Sequence, residues 1–464
     1  MIKALLKYRV LACAVCLIVC ASSCGGDSPA DEPNQPVDPV TPVTPTTDQA
    51  MTPDEQKNYL EQVALEFMEL TPSSDFMRIS DLGCFIRDTY GDRYDWDEVG
   101  DWARGLWETS RSSLGSYSQE TSRWGYNYVF YDYTALLLAS NFTGHFTARN
   151  GYWQRTDASD LQFLFNDQAG AQCVVKLTTS GSIKKVHAFN LDEYKEYRGG
   201  TEYYDRVQCT VGVPENIEVT LTQGGNLVVK TTVKVDLNSL SGEEFDISRS
   251  AFNVSSTTEL NNGYRFALSQ AVYKANNQVS LTLVMSKGSR TLATMAFSSD
   301  LSGIPACNAS AFASEDFDID NYNTDAANAN APFVKLDILE KVQIQGRVTD
   351  ARKLADNLEL ADENSTNEYA FKDAIAHTNE QTDLNLFYNG TATKQATIKL
   401  EPFVEDYWNG RTYWDAEPVI VFFDGSSYST VEAFFNETSF KRTIDTFKRL
   451  SNSYAALIDE HINW

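Results

Sequence analysis

Histidine is scarce in this chain, with four in 464 residues. None of His145, His187, His377 and His461 stands at metal-ligand spacing from another, and no His-Glu-x-x-His run occurs, so a zinc-hydrolase centre has no ligand set. Basic residues are also few. The 38 Lys+Arg face 64 Asp+Glu, a formal net charge of −26, and so acidic a chain repels polyphosphate. Nucleic acid is thereby excluded as a partner. Neither a Gly-x-Ser-x-Gly elbow nor a phosphate-cradling loop is present. Ser182-Ile-Lys-Lys185 fits Ser-x-x-Lys, but in strand context, whereas the serine of that motif opens a helix. No cofactor is expected from what remains. Of eight cysteines, four fall within the first 24 residues. The rest, Cys84, Cys173, Cys209 and Cys307, can pair in three ways and are too sparse for a disulfide scaffold.

What is there begins with an address. Lys3, Lys7 and Arg9 precede an unbroken apolar run from Val10 to Val19, too short for the about 20 residues a spanning helix needs. Small residues Ala21, Ser22 and Ser23 then lead to Cys24. This order resembles a bacterial lipoprotein precursor, which implies cleavage before Cys24 and its acylation. Without the three leader cations, 35 basic residues face 64 acidic ones, a net −29. Anionic head groups would not hold such a chain, so the acyl chains on Cys24 must supply attachment to the bilayer. Prolines at 33, 36, 39, 42 and 45 match the three-residue turn of polyproline II and predict a stiff tether. Asp27, Asp31 and Glu32 resemble the export signal of surface lipoproteins in Bacteroidota. The resemblance implies an outer-membrane lipoprotein that faces outside.

The rest of the chain reads as α+β: N-terminal helices, a central antiparallel β meander with an internal repeat, and a C-terminal helix packed on the sheet. Thr52-Pro53-Asp54-Glu55 is a capping box with proline at the first helical position. A second amphipathic stretch covers 74–90. A third starts at Asp95, with Trp96, Val99, Ala103 and Leu106 on one face, which predicts a core role for Trp96. Residues 109–125 are Ser-rich and predict a loop; 126–142 fit buried helix and strand equally. From Gly144 the apolar period is two, with turns at Gly170, Gly224 and Gly288. Gly224, Asp236 and Leu237 recur 64 residues later as Gly288, Asp300 and Leu301, a repeat signal that chance alternation could also produce in part. Ser429-Thr-Val-Glu432 predicts the cap of the last helix, whose apolar face includes Ile444, Phe447 and Leu450. The expected segments are 1–23 (leader), 24–52 (tether), 53–142 (helical), 143–310 (antiparallel β), 311–332 (acidic linker) and 333–464 (mixed).

Three groups are candidates for chemistry. Asp316, Asp318 and Asp320 could converge oxygens on Ca²⁺, although Asn321 and Ala327 replace the glycine and glutamate of that loop, so a solvated acidic linker is the competing reading. Cys173 and Cys209, in neighbouring β segments, are the first disulfide pair to consider, with free thiols as the alternative. Tyr407, Trp408, Tyr413 and Trp414 alternate with carboxylates and could stack on sugar rings, while packing is the competing role. These features predict a lipid-anchored binding protein with a glycan, adhesive or protein ligand. A polysaccharide hydrolase and a structural envelope component remain open alternatives.

Overall fold

A computed structural model describes residues 50–91, 93–122, 125–246, 250–273, 278–300, 330–406, 412–423, 428–435 and 440–457. Three helices come first: α1 (Pro53–Leu70), α2 (Met77–Ile86) and α3 (Asp97–Ser110). Strands β1 (Ser116–Thr121), β2 (Asn127–Leu138), β3 (Gly144–Arg149), β4 (Tyr152–Thr156) and β5 (Leu161–Asn166) follow. Next are β6 (Gln172–Arg198), β7 (Thr201–Gln223), β8 (Asn226–Asp236), β9 (Phe252–Leu260), β10 (Tyr264–Tyr273), β11 (Gln278–Lys287) and β12 (Arg290–Asp300). After β13 (Asn330–Ile338) and β14 (Val342–Val348) come helices α4 (Ala351–Glu363) and α5 (Glu368–Gln381). The chain continues through β15 (Thr382–Tyr388), β16 (Ala396–Asp406), β17 (Thr412–Phe422) and β18 (Tyr428–Thr430) to α6 (Val431–Phe434) and α7 (Lys441–Ala456). The α+β class is as expected, with mostly antiparallel strands. The described residues divide into two compact units, one from residues 50–81, 282–300 and 330–457, the other from residues 82–281.

In the first unit Thr52 Oγ1 accepts from Glu55 N, and the Glu55 carboxylate accepts from Thr52 N, so the predicted capping box opens α1. That helix lays Tyr59 and Val63 against the unit's core and inserts a buried amide, Gln56. Gln56 Nε2 donates to Met51 O and Gln395 O, and Tyr388 OH donates to Gln56 Oε1 at 3.0 Å, so the polar group is satisfied. Strands β12 to β17 pair antiparallel in chain order from β12 through β17. Helix α5 buries Phe371 and Ile375 against Leu400 and Ala416, each full apolar burial contributing roughly 1.5–3 kcal/mol. Ile444 of α7 packs with Ile420, Phe422 and Phe434. The cap near 430 differs from expectation by one residue and one helix. Thr430, not Ser429, accepts from Ala433 N, and it starts the short α6.

In the second unit the core role expected for Trp96 is corrected: it caps α3 and stays 41% exposed, its ring resting on the outside of an aromatic cluster. It lies 5.2 Å from the Trp153 ring, and its Nε1–H donates to Tyr90 O. Two departures from a plain meander matter. Strand β3 runs parallel to β5, and β2 runs parallel to the first half of β7. The Ser-rich segment expected to be a loop contains β1, an exposed strand on the outer edge of β2. It evades hydropathy because neither of its faces is buried. The ambiguous 126–142 segment is strand β2, so the helical region ends at Ser110. The β6–β7 arm changes neighbours midway: its turn-distal half lies between β5 and β8, and its other half lies beside β2. The change falls at a register shift between Ser180 and Ile183, where Gly181 adopts φ +85°. Any Cβ there would approach Glu215 Oε2 to 2.7 Å, so glycine is required.

The repeat is structural. Strands β8 and β12 are both 11 residues long and start 64 residues apart, at Asn226 and Arg290. Val229 faces Leu260 as Ala293 faces Ile338, and Thr258 faces Phe266 as Leu336 faces Ile344. Even the turn contacts recur: Asn261 N donates to Val228 O at 3.0 Å, and Leu339 N to Leu292 O at 2.9 Å.

Candidate functional site

The strands β1, β2, β7 and β6 of the second unit form an exposed sheet face. Side chains two apart share a face, and cross-strand partners share it too. The register therefore aligns Ser116–Asp132–Arg206–Asp192 in one row, and Ser118–Phe130–Tyr204–Tyr194 in the next. Glu120–Tyr128–Glu202–Tyr197 makes a third, and Thr134–Gln208–Asn190 lies on the opposite flank. Apart from Phe130, which is buried, the rows of this face are open or half-open to water, which fits the high Ser, Thr, Asp and Tyr content of the segments.

On the polar flank a groove of about 660 Å³ is lined by Ser112, Ser116, Asp132, Thr134, Asn190, Asp192, Arg206 and Gln208. Ser116 Oγ donates to Asp132 Oδ2 at 2.7 Å, and Ser112 N donates to Thr134 O at 2.8 Å, which fastens the loop before β1 to β2. Buried His187 spans two oxygens, Glu244 Oε1 at 2.6 Å from Nδ1 and Asn190 Oδ1 at 2.9 Å from Nε2. With its oxygen so engaged, Asn190 keeps its amide N–H groups for the groove.

Beside the groove runs an aromatic strip. The Phe130 and Tyr204 rings stack 5.5 Å apart at 28°, Tyr128 stacks on Phe130 at 6.3 Å, and Tyr194 stands edge-on to Tyr204 at 5.6 Å. Tyr204 donates to Glu202, and that hydrogen bond, with burial and the nearby charge, pushes its phenol up to about 12. Tyr194 is 58% and Tyr197 64% exposed, more than a packing role needs. Arg206 links strip and groove. Its guanidinium carbon lies 3.6 Å over the Phe130 ring, its Nη1 is 2.9 Å from Glu120 Oε1, and its Nε is 3.3 Å from Asp192 Oδ1. Burial opposes its charge, and the hydrogen bonds to Glu120 and Asp192 outweigh it and raise its pKa.

Chemically this face can stack flat rings and exchange hydrogen bonds with hydroxyls. Asp132 and Asp192 sit two strands apart, about 10 Å between backbones at normal sheet spacing. Arg206 stands between them, so the pair does not flank open space as two glycosidase carboxylates do. Among the described residues, no group of three or more His, Cys, Asp or Glu could hold a metal.

The residues chosen from sequence lie elsewhere. Tyr413 and Trp414 are on β17 of the first unit, both half-buried. Trp414 packs on the Leu358–Phe371 core, its backbone N–H donates to Ser365 O, and Lys372 Nζ lies 4.3 Å over its ring. Packing, the competing role, is the one Trp414 fills. Tyr407, Trp408, Asp316, Asp318, Asp320 and Cys24 fall outside the described residues. The Cys173–Cys209 pairing is corrected: both are buried free thiols, Cys173 opposite Gln223 and Cys209 opposite Phe189, at separate places on the β6–β7 arm. Burial raises both thiols. The face on β1, β2, β6 and β7 went unread because its signal, tyrosines clustered at 126–133 and 194–204, points to a site only once the two segments are known to be neighbours.

No family model matches the chain, and neither the curated proteins nor the solved structures contain a match.

Proposed function

We propose that this chain is a lipid-anchored envelope protein, carried on Cys24 and displayed outward on its proline-rich tether, that binds glycan without turning it over. One observation carries the binding role: an aromatic strip whose outer rings, Tyr194 and Tyr197, are exposed continues a polar groove on a single sheet face. Sugar rings present apolar C–H faces and a rim of hydroxyls, and this pairing of surfaces offers a partner to each. The long register of β2 against β7 holds the rings in place before any ligand arrives, which limits the ordering cost of binding.

Affinity electrophoresis of the purified full chain through polysaccharide-containing gels tests this reading. Retardation is expected in at least one gel, and Tyr194→Ala with Tyr197→Ala should abolish it, each lost stacking surface being worth roughly 1 kcal/mol or more. Unchanged retardation in the double variant would remove the site. Release of reducing sugar that depends on Asp132 or Asp192 would replace binding with hydrolysis. For the anchor, Cys24→Ala should abolish palmitate labelling and free the protein from membranes; labelling that persists would refute it.

A further inference from the structure

We infer that this face selects uncharged polysaccharide and turns away acidic polymers, with Arg206 as the residue that sets the charge class; this rests on the glycan reading above. Capture of a carboxylate or sulfate needs a cation whose charge is not already matched by neighbouring carboxylates, and Arg does so best through a bidentate fork. Arg206 is the one cation among the described residues lining the groove. Its Nη1 is committed to Glu120 and its Nε to Asp192, and one of its faces is covered by Phe130. The guanidinium thus serves as an internal tie between β1, β7 and β6. Around it stand Glu120, Asp132, Asp192 and Glu202. A polyanion laid along these strands meets four carboxylates for each already neutralised cation, within a chain of net charge −26.

Hydroxyl groups meet a better match. Asp132 and Asp192 offer carboxylate oxygens, Asn190 and Gln208 offer amide donors, and these alternate across strands spaced by about 4.8 Å. Such a comb suits a chain of neutral sugars laid over the sheet, with ring faces on Tyr194 and Tyr197.

Two measurements on the full chain test the inference. In the first, wild-type protein runs through gels of galactomannan, mixed-linkage β-glucan, polygalacturonate and alginate. Retardation by a neutral polymer and none by either acidic one is expected. That neutral binding should change less than about twofold between about 0.1 M and about 1 M salt, across which the Debye length falls from about 10 to about 3 Å. Retardation by polygalacturonate or alginate as strong as by the neutral polymers would overturn the charge selection and leave the glycan reading standing. Retardation by no gel would take down the glycan reading, and the selection with it. The second measurement uses Glu120→Ala with Asp192→Ala, which removes both acceptors and releases the fork of Arg206. Polygalacturonate binding should then strengthen by about tenfold, the worth of one freed charge-assisted hydrogen bond, and should vanish at about 1 M salt. A cooperatively folded double variant with no such gain would also overturn the role of Arg206.

Discussion

The two meanders β8–β9–β10 and β12–β13–β14 share register, turn contacts and the lengths of their first two strands, 11 and 9 residues, yet the rows that cross them differ. In the second unit the row reads Thr231, Thr258, Phe266; the threonine hydroxyls bond each other at 3.0 Å, and Phe266 stays 38% exposed. In the first unit the same row reads Met295, Leu336, Ile344. There Ile344 is 4% exposed and, with Leu336, lies among Leu386, Val431 and Phe435. Backbone pairing is thus indifferent to the chemistry of the face. What covers the face decides which side chains it carries: an overlaid helix demands apolar residues, while a surface open to water tolerates hydroxyls and half-exposed rings.

The strongest way to break this comparison is to place the open row's chemistry under the helix. Ile344→Thr removes buried carbon and adds a hydroxyl without a partner, so a loss of about 2–4 kcal/mol is expected from urea denaturation. A loss below about 1 kcal/mol would mean that the cover does not discriminate. Turns come next. Gly263 has φ +88°, while the equivalent turn in the first unit holds Leu339 at φ +54° and Glu340 at φ +59°. Gly263→Ala should cost about 1–2 kcal/mol, because a Cβ is unfavourable in that region. Glu340→Gly should be close to neutral or stabilise by up to about 1 kcal/mol, since relief of strain offsets the greater freedom of glycine when unfolded. Thermal unfolding of the two variants should give opposite signs, because the two turns enter the left-handed region at different positions. The smallest effect belongs to Thr258→Val, within about 0.5 kcal/mol, because water replaces the lost hydroxyl partner on a half-exposed surface. Hydrogen exchange in β9 peptides should hardly change, whereas β13 and β14 peptides of Ile344→Thr should exchange markedly faster.

Much of the fold was legible. The capping box at Thr52 and Glu55, the helix at 97–110, the apolar face at 441–456 and the 64-residue repeat all rest on local spacing, and local spacing survives folding. The turn at Gly224 and Gly225 could be read because both residues adopt positive φ, which glycine alone enters freely. The site was not legible. Trp414 has the composition of a contact residue and the position of a core residue, and composition cannot separate the two when a lysine such as Lys372 covers an aromatic face. Edge strand β1 escaped for a related reason: with both faces wet, it carries no hydrophobic period.

By itself the sequence determined the α+β class, the helices that open the described chain and the one at 441–456, and the glycines that turn the chain. These follow from rules that act over a few residues. Tertiary structure alone decided that β2 lies parallel to β7 and that β6 lines its other side. A period of two tells which face a side chain takes but never which strand will be its neighbour. The groove at Asp132, Asp192 and Arg206 exists only through that choice of neighbours, since its three central residues come from three strands brought together by long-range pairing.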